Sequence, residues 1–197
     1  MKVLGIYGSP RKGGNSDLLL DRALDGAKEA GAEVASIYSR QLKIEGCREC
    51  GGCNKTGACV VKDQMTEVYP QLAEADAIIL SVPMFFYAAP AQPKALIDRC
   101  QACWSKRMLT KTKEERKRFD SGKGYLIAVG ATKGANLFQG VEMMAKYFYD
   151  ALDMSYEGGL LLRGVEGRAA VEEHPDHLRE AFELGKRIVA EAAKEGE

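Results

Sequence analysis

Four of the chain's six cysteines fall in the run Cys47-Arg-Glu-Cys50-Gly-Gly-Cys53-Asn-Lys-Thr-Gly-Ala-Cys59, far denser than a structural core needs. Three thiolates spaced by two residues each can wrap three corners of one inorganic cluster, and Gly57 lets the chain turn so that Cys59 closes it. Three chemistries compete for these thiols. An iron-sulfur cluster fits the close spacing, although the usual bacterial run ends Cys-x3-Cys-Pro and this one has five intervening residues and no proline. Zinc also accepts four thiolates, but its common sites use two pairs separated by a longer loop. The third reading is free or redox-active thiols without metal.

A second run, Ser9-Pro-Arg-Lys-Gly-Gly-Asn-Ser16, has the composition of an anion cradle. It follows an apolar stretch and precedes a helical pattern, so it meets the unpaired N–H groups and positive dipole end of a first helical turn. Ser9, Asn15 and Ser16 carry side-chain donors, Gly13 and Gly14 permit close backbone approach, and Arg11 or Lys12 can neutralise a phosphate. The order is neither Gly-x-Gly-x-x-Gly nor Gly-Lys-Ser/Thr, so a mononucleotide is the ligand it suits. The plainer alternative is a strand-to-helix turn with Asn15 or Ser16 as N-cap.

The third run, Pro83-Met84-Phe85-Phe86-Tyr87-Ala-Ala-Pro90, sets three adjacent aromatics in a loop where an exposed apolar stretch is a liability. A flat isoalloxazine ring would cover them, with the loop's amides on its polar edge. The alternative has Phe85 and Phe86 plugging the core under the next helix. The loop Ala131 to Asn136, with Thr132 and Lys133, is placed to line the other side of the ring or admit a second substrate.

The elements that must position these runs follow from periodicity. Val3 to Tyr7, Glu33 to Tyr38, Asp76 to Val82, Gly124 to Gly130 and Tyr156 to Leu162 read as strands. Between and after them, Asp17 to Ala30, Met65 to Ala75, Ala91 to Trp104, Leu137 to Leu152 and Pro175 to Ala193 carry helical spacing. Alternation of this kind gives an α/β, doubly wound, five-stranded parallel sheet, because parallel neighbours need crossover connections. The expected strand order is the flavodoxin-like 2-1-3-4-5. It opens a crevice at the carboxyl ends of strands 1 and 3, where the Ser9 and Pro83 loops emerge.

Composition sets bounds on partners and setting. The 197 residues carry 28 Lys or Arg against 28 Asp or Glu, so the formal net charge is zero and nothing global argues for nucleic acid. No repeat or linker marks a second domain; residues 1–197 read as one domain with a cysteine-rich loop at 46–62 and a polar insert at 105–123. No apolar stretch is long enough to cross a membrane and no signal peptide is evident, so a cytoplasmic, membrane-free protein is expected. In that compartment clustered cysteines favour metal or redox chemistry over disulfides.

Taken together, Ser-Pro-Arg-x-x-Gly-Asn-Ser after strand 1, Cys-x2-Cys-x2-Cys-x5-Cys after strand 2, and Pro-x-x-x-Tyr after strand 3 followed by Lys94-Ala-Leu-Ile-Asp-Arg99 resemble the iron-sulfur flavoprotein branch of the NADPH-dependent FMN reductase family. The resemblance covers about residues 1 to 162. It implies FMN with its phosphate on Ser9, Arg11, Asn15 and Ser16 and its ring against Pro83 to Tyr87. It also implies a [4Fe-4S] cluster on Cys47, Cys50, Cys53 and Cys59, and a homodimer or homotetramer in which cluster and flavin of neighbouring subunits approach. NAD(P)H or ferredoxin would donate electrons. Flavin-only relatives carry similar cysteine loops, so a metal-free NADPH-dependent FMN or quinone reductase and a non-enzymatic flavin-binding electron carrier remain rival readings.

Two further features stand apart. Ser105 to Lys123 holds eight Lys or Arg against three Asp or Glu, a basic segment suited to an NADPH phosphate or an acidic carrier, or simply a solvated one. Cys100 and Cys103 lie three apart on an expected helix and read as small buried side chains rather than a second redox pair.

Overall fold

In the computed structural model, which describes residues 1–195, all five apolar runs become strands of one parallel sheet. These are β1 (Lys2–Tyr7), β2 (Glu33–Tyr38), β3 (Ala77–Pro83), β4 (Gly122–Gly130) and β5 (Met154–Arg163), hydrogen-bonded in the order β2-β1-β3-β4-β5. This is the order expected from sequence. The helices are α1 (Asn15–Glu29), α2 (Met65–Glu74), α3 (Ala91–Arg99), α4 (Gln101–Thr110), α5 (Gln139–Ala151) and α6 (Pro175–Glu195).

Successive side chains of a strand point to opposite faces, so one sheet feeds two cores. Leu4 and Ile6 of β1 pack with Met65, Val68, Leu96 and Phe148 from α2, α3 and α5. Val3 and Tyr7 face the other way, onto Leu20 and Leu24 of α1 and Leu184 and Ile188 of α6. Ile78, Ile79 and Leu80 of β3, the central strand, are fully buried. Each contributes roughly 1.5–3 kcal/mol relative to an exposed side chain.

The backbones of α1 and α6 touch through two glycines. A Cβ on Gly26 would sit 2.0 Å from the carbonyl oxygen of Phe182, and one on Gly185 would sit 1.8 Å from that of Ala23.

Two expectations needed correction. The helix expected from Ala91 to Trp104 breaks at Cys100, whose ψ of 0° starts a second helix, α4, that continues to Thr110. The segment expected as a polar insert from Ser105 to Lys123 is therefore helix at its start and strand at its end. Its charge is also less available than composition suggests. Arg107 is buried, donating 2.9 Å and 2.8 Å hydrogen bonds to Asp150 and Asp153, while Lys111 pairs with Asp120 and Asp153. Among the described residues, no helix is long and apolar enough to cross a membrane.

Candidate functional site

The loops after β1, β3, β4 and β5 meet at the carboxyl edge of the sheet around a cleft of about 340 Å³. Its walls include Ser9, Arg11, Gly14, Asn15 and Ser16 from the first loop and Pro83, Met84 and Phe85 from the third. Lys12, Phe86, Tyr87, Thr132 and Lys133 are exposed and lie outside these walls.

The floor of the cleft is the amino end of α1. Gly14 is the N-cap and supplies no side-chain hydrogen bond, which removes Asn15 and Ser16 as caps and leaves the first-turn N–H groups facing the cleft. Ser16 is 2% exposed and its Oγ has no hydrogen-bond partner, although a buried hydroxyl left unpaired costs about 1–3 kcal/mol. A phosphate oxygen at this point would satisfy both the hydroxyl and the N–H groups, so the residues present fit a phosphate monoester. Around it the backbone is pinned. Ser81 Oγ donates to the Ser16 carbonyl at 2.7 Å, and Ser9 Oγ accepts from the Arg11 N–H at 3.1 Å.

Asn15 is used differently from the sequence reading. Its Nδ2 donates to the Gly167 carbonyl at 2.9 Å and its Oδ1 accepts from the Val171 N–H at 3.1 Å, so its amide ties α1 to the loop after β5. Beneath the turn, Asp17 accepts from the Gly13 N–H at 3.1 Å and pairs with Arg40 at 2.9 Å. Desolvation raises the Asp17 carboxyl above its ordinary range, against the pull of Arg40. Arg40 thus offsets a carboxylate that would otherwise repel an anion in the cradle.

The aromatic loop closes on itself. Phe85 and Ala88 exchange backbone hydrogen bonds of 2.9 and 3.0 Å, with Phe86 and Tyr87 between them at φ of 50° and 62°. Two left-handed central residues make the mirror-image turn that normally selects Asn-Gly, so bulky residues here store strain of order 1–3 kcal/mol each. The alternative that Phe85 and Phe86 plug the core is overturned: they are 48% and 102% exposed.

The cysteine run lies on the long connection between β2 and α2. Cys47, Cys50, Cys53 and Cys59 are all free thiols and all line one cavity of about 570 Å³. Gly57 adopts φ 69° and its N–H donates to the Cys53 carbonyl at 2.8 Å, the turn expected of it. A Cβ there would meet the Cα of Lys106 at 2.8 Å, so the position requires glycine. The four thiols surround the cavity without converging: among the described residues no three His, Cys, Asp or Glu side chains are grouped closely enough to hold a metal ion.

Sequence reasoning missed what holds this segment. Arg99 is 1% exposed and donates to both its ends: to the carbonyls of Glu45 at 3.0 Å and Val61 at 3.2 Å, and to both oxygens of Asp63 at 2.7 and 3.2 Å. Burial alone would raise the Asp63 carboxyl. Arg99 and the N–H groups of Glu45 and Met65 outweigh it and hold the carboxyl below its ordinary value. Also missed was the loop after β5. Val165, Glu166 and Gly167 line the cleft, and Arg168 donates to the Lys12 carbonyl at 3.4 Å. Its position after the last strand was the available signal, since every carboxyl-end loop of such a sheet borders the crevice.

Comparison with known proteins places this geometry. Residues 1–156 match the family model described as NADPH-dependent FMN reductase. The chain is 39% identical to an iron-sulfur flavoprotein of Methanosarcina thermophila over 93% of its own length and 96% of that protein's. Among solved structures it is similar to an NAD(P)H:quinone oxidoreductase from Methanothermobacter marburgensis, with TM-score 0.70 and 16% identity over 94% of this chain and 98% of that one. A flavone reductase superposes with TM-score 0.70 and 21% identity, covering 98% of this chain and 63% of that one. A strand order, a phosphate-shaped helix end and a cysteine run thus meet in one family: the chain belongs to the NADPH-dependent FMN reductases, in the iron-sulfur flavoprotein branch, and is a flavin-dependent oxidoreductase.

Proposed function

We propose that this enzyme passes electrons between NAD(P)H or ferredoxin, an FMN in the carboxyl-edge cleft, and a [4Fe-4S] cluster held by Cys47, Cys50, Cys53 and Cys59. The observation that carries the flavin assignment is the unpaired Ser16 hydroxyl at the uncapped end of α1. Ser9, Arg11, Gly14, Asn15 and Ser16 would hold the phosphate, with Lys12 adding charge from the loop's outer side. Pro83, Met84 and Phe85 would bear on the ring, and Phe86 and Tyr87 would extend that surface. Thr132 and Lys133 would border the position from which a nicotinamide donor approaches.

Bound there, FMN supplies hydride chemistry toward a nicotinamide and single-electron chemistry toward a metal centre. The chain's own work is positional. The turn between β1 and α1 would fix the phosphate, and the strained turn at Phe86 holds an apolar face out of the core. No side-chain acid or base is required, so none is assigned.

The cluster reading is supported by the way four thiols rim one cavity. A tetrahedral zinc draws its sulfurs to about 2.3 Å from a single point, whereas Cys47, Cys50, Cys53 and Cys59 would each supply one thiolate to a cluster that accepts and passes single electrons. The cysteine cavity and the flavin cleft share no lining residue. That separation supports a homodimer or homotetramer in which one subunit's cluster faces its neighbour's flavin.

Anaerobically purified protein tests the scheme. Near-stoichiometric FMN, iron and sulfide are expected, with broad visible absorbance beyond the flavin bands that bleaches on adding NADPH or reduced ferredoxin. Iron-free protein with intact flavin and NADPH oxidation would instead identify a plain FMN or quinone reductase. Failure of folded apo-protein to take up FMN would remove the whole assignment.

A further inference from the structure

A third cavity, of about 480 Å³, lies against α4 and shares no lining residue with the flavin cleft. Its wall carries Tyr69 and Leu72 as apolar surface, Lys62 and Lys106 as cations, Cys103, and at its edge Cys59, shared with the cysteine cavity. Lys62 and Lys106 make no ion pair among the described residues, whereas the cavity's other cations, Arg107 and Lys111, are bound to Asp153.

Behind Cys103 stands Cys100. The break between α3 and α4 makes Cys100 the N-cap of α4 and puts Cys103 in its first turn. Residues three apart in one helical turn have Cα atoms about 5 Å from each other, inside the ~4.4–6.8 Å range of a disulfide. Cys100 is 1% exposed, its Sγ donating to the Leu96 carbonyl at 3.5 Å, while Cys103 is only partly buried. One sulfur is therefore presented to the cavity and the other is held back within reach of it. Their electrostatics differ in the same sense. The neighbouring Cys100 lowers the Cys103 thiol, assisted by Lys106 against desolvation, while the nearness of Cys103 together with burial raises Cys100.

We propose that Cys100 and Cys103 form a thiol–disulfide exchange pair whose substrate is a small disulfide carrying carboxylates, seated in this cavity against Lys62 and Lys106. The Cys103 thiolate attacks one sulfur of the substrate, forming a mixed disulfide and expelling the first substrate thiolate. Cys100, losing its proton, then attacks the Cys103 sulfur and expels the second. The substrate disulfide gains two electrons and, with protons from Cys100 and solvent, leaves as two thiols; the pair is left as the Cys100–Cys103 disulfide. The reverse sequence, with a small thiol as reductant, restores it.

The test uses the intact protein as isolated, kept anaerobic and treated with oxidised glutathione, then alkylated and digested with trypsin. Cleavage after Arg99 and Lys106 isolates both cysteines in one peptide, apart from the four upstream cysteines. Wild-type protein is expected to lose two hydrogens in that peptide and to regain them with reduced glutathione. Cys100→Ser is expected to stop at the glutathione adduct on Cys103. Cystamine, a cationic disulfide of similar reach, is expected to react at least about tenfold more slowly, by the attraction a charged cleft exerts, and Lys106→Gln to narrow that ratio. An unmodified 100–106 peptide in wild-type protein, when the urea-unfolded chain reacts, overturns the pair. Equal rates for the two disulfides overturn the substrate class. The wild-type mapping decides the first point even if a variant fails to fold.

Discussion

The phosphate cradle and the cysteine segment are both irregular backbone, yet the fold holds them in opposite ways. The cradle is a short turn between β1 and α1, two elements buried in the cores; Arg40 and Ser81 pin the carbonyls of Ser9 and Ser16, and the Asn15 amide ties the turn to the loop after β5. The cysteine segment spans the long connection from β2 to α2 and is gathered at its two ends by one buried guanidinium, that of Arg99. The difference teaches that the first site inherits its shape from the sheet, while the second is gathered chiefly by the Arg99–Asp63 clamp and a few turn contacts, and depends on whatever the thiols hold.

The largest effect expected from this contrast is an all-or-none one. Cys59→Ser should abolish bound iron and leave FMN at wild-type stoichiometry, measured as iron and sulfide per flavin; loss of both together would mean the two sites are not independently built. Next is Arg99→Met, which leaves Asp63 uncompensated and should destabilise the protein by about 3–5 kcal/mol in urea unfolding. Adding Asp63→Asn should recover part of that loss, and an unchanged midpoint in the single variant would show that the clamp is dispensable.

Arg11→Ala should weaken FMN by roughly 1.5–3 kcal/mol in titrations of apo-protein, the range of a charge-assisted hydrogen bond, with unchanged stability of the apo form. A cradle shaped by the sheet predicts that separation, and parallel losses would refute it. The paired change Phe86→Asn with Tyr87→Gly should stabilise apo-protein by about 1–2 kcal/mol by relieving the left-handed turn, while weakening flavin binding. Stabilisation without weaker binding would take these rings out of the site.

The smallest effect concerns acid. Asp63 has a folded pKa below its unfolded value near 3.8, so its contribution is complete above that value and fades as pH falls through the lower folded one. Stability measured from pH 5 downward should therefore fall less steeply in Asp63→Asn than in the wild type.

What could be read from the chain divides along the same line. The strand order and the positions of the turn after β1 and the loop after β3 were legible because local composition and periodicity encode them: Gly-rich turn, apolar run, helical stripe. The role of Arg99 was not, since an arginine within a helical stretch carries no local sign of its partners, and only the fold shows that it is enclosed by residues far away in sequence. The break at Cys100 carries no glycine or proline to announce it. Arg107 looked like one charge in a basic surface segment because its partners, Asp150 and Asp153, come from beyond β4. Asn15 was correctly placed at the helix mouth, but the hydrogen bonds of its amide reach a loop that comes far later in the chain.

The bare backbone contact of α1 with α6 at Gly26 and Gly185 has a mechanical side. It makes α1 a beam resting on the chain's final helix, with the nucleotide's seat at the beam's far end. A methyl group added at that fulcrum, remote from every atom of the crevice, would tip the seat, so the last helix governs how the first one receives its guest.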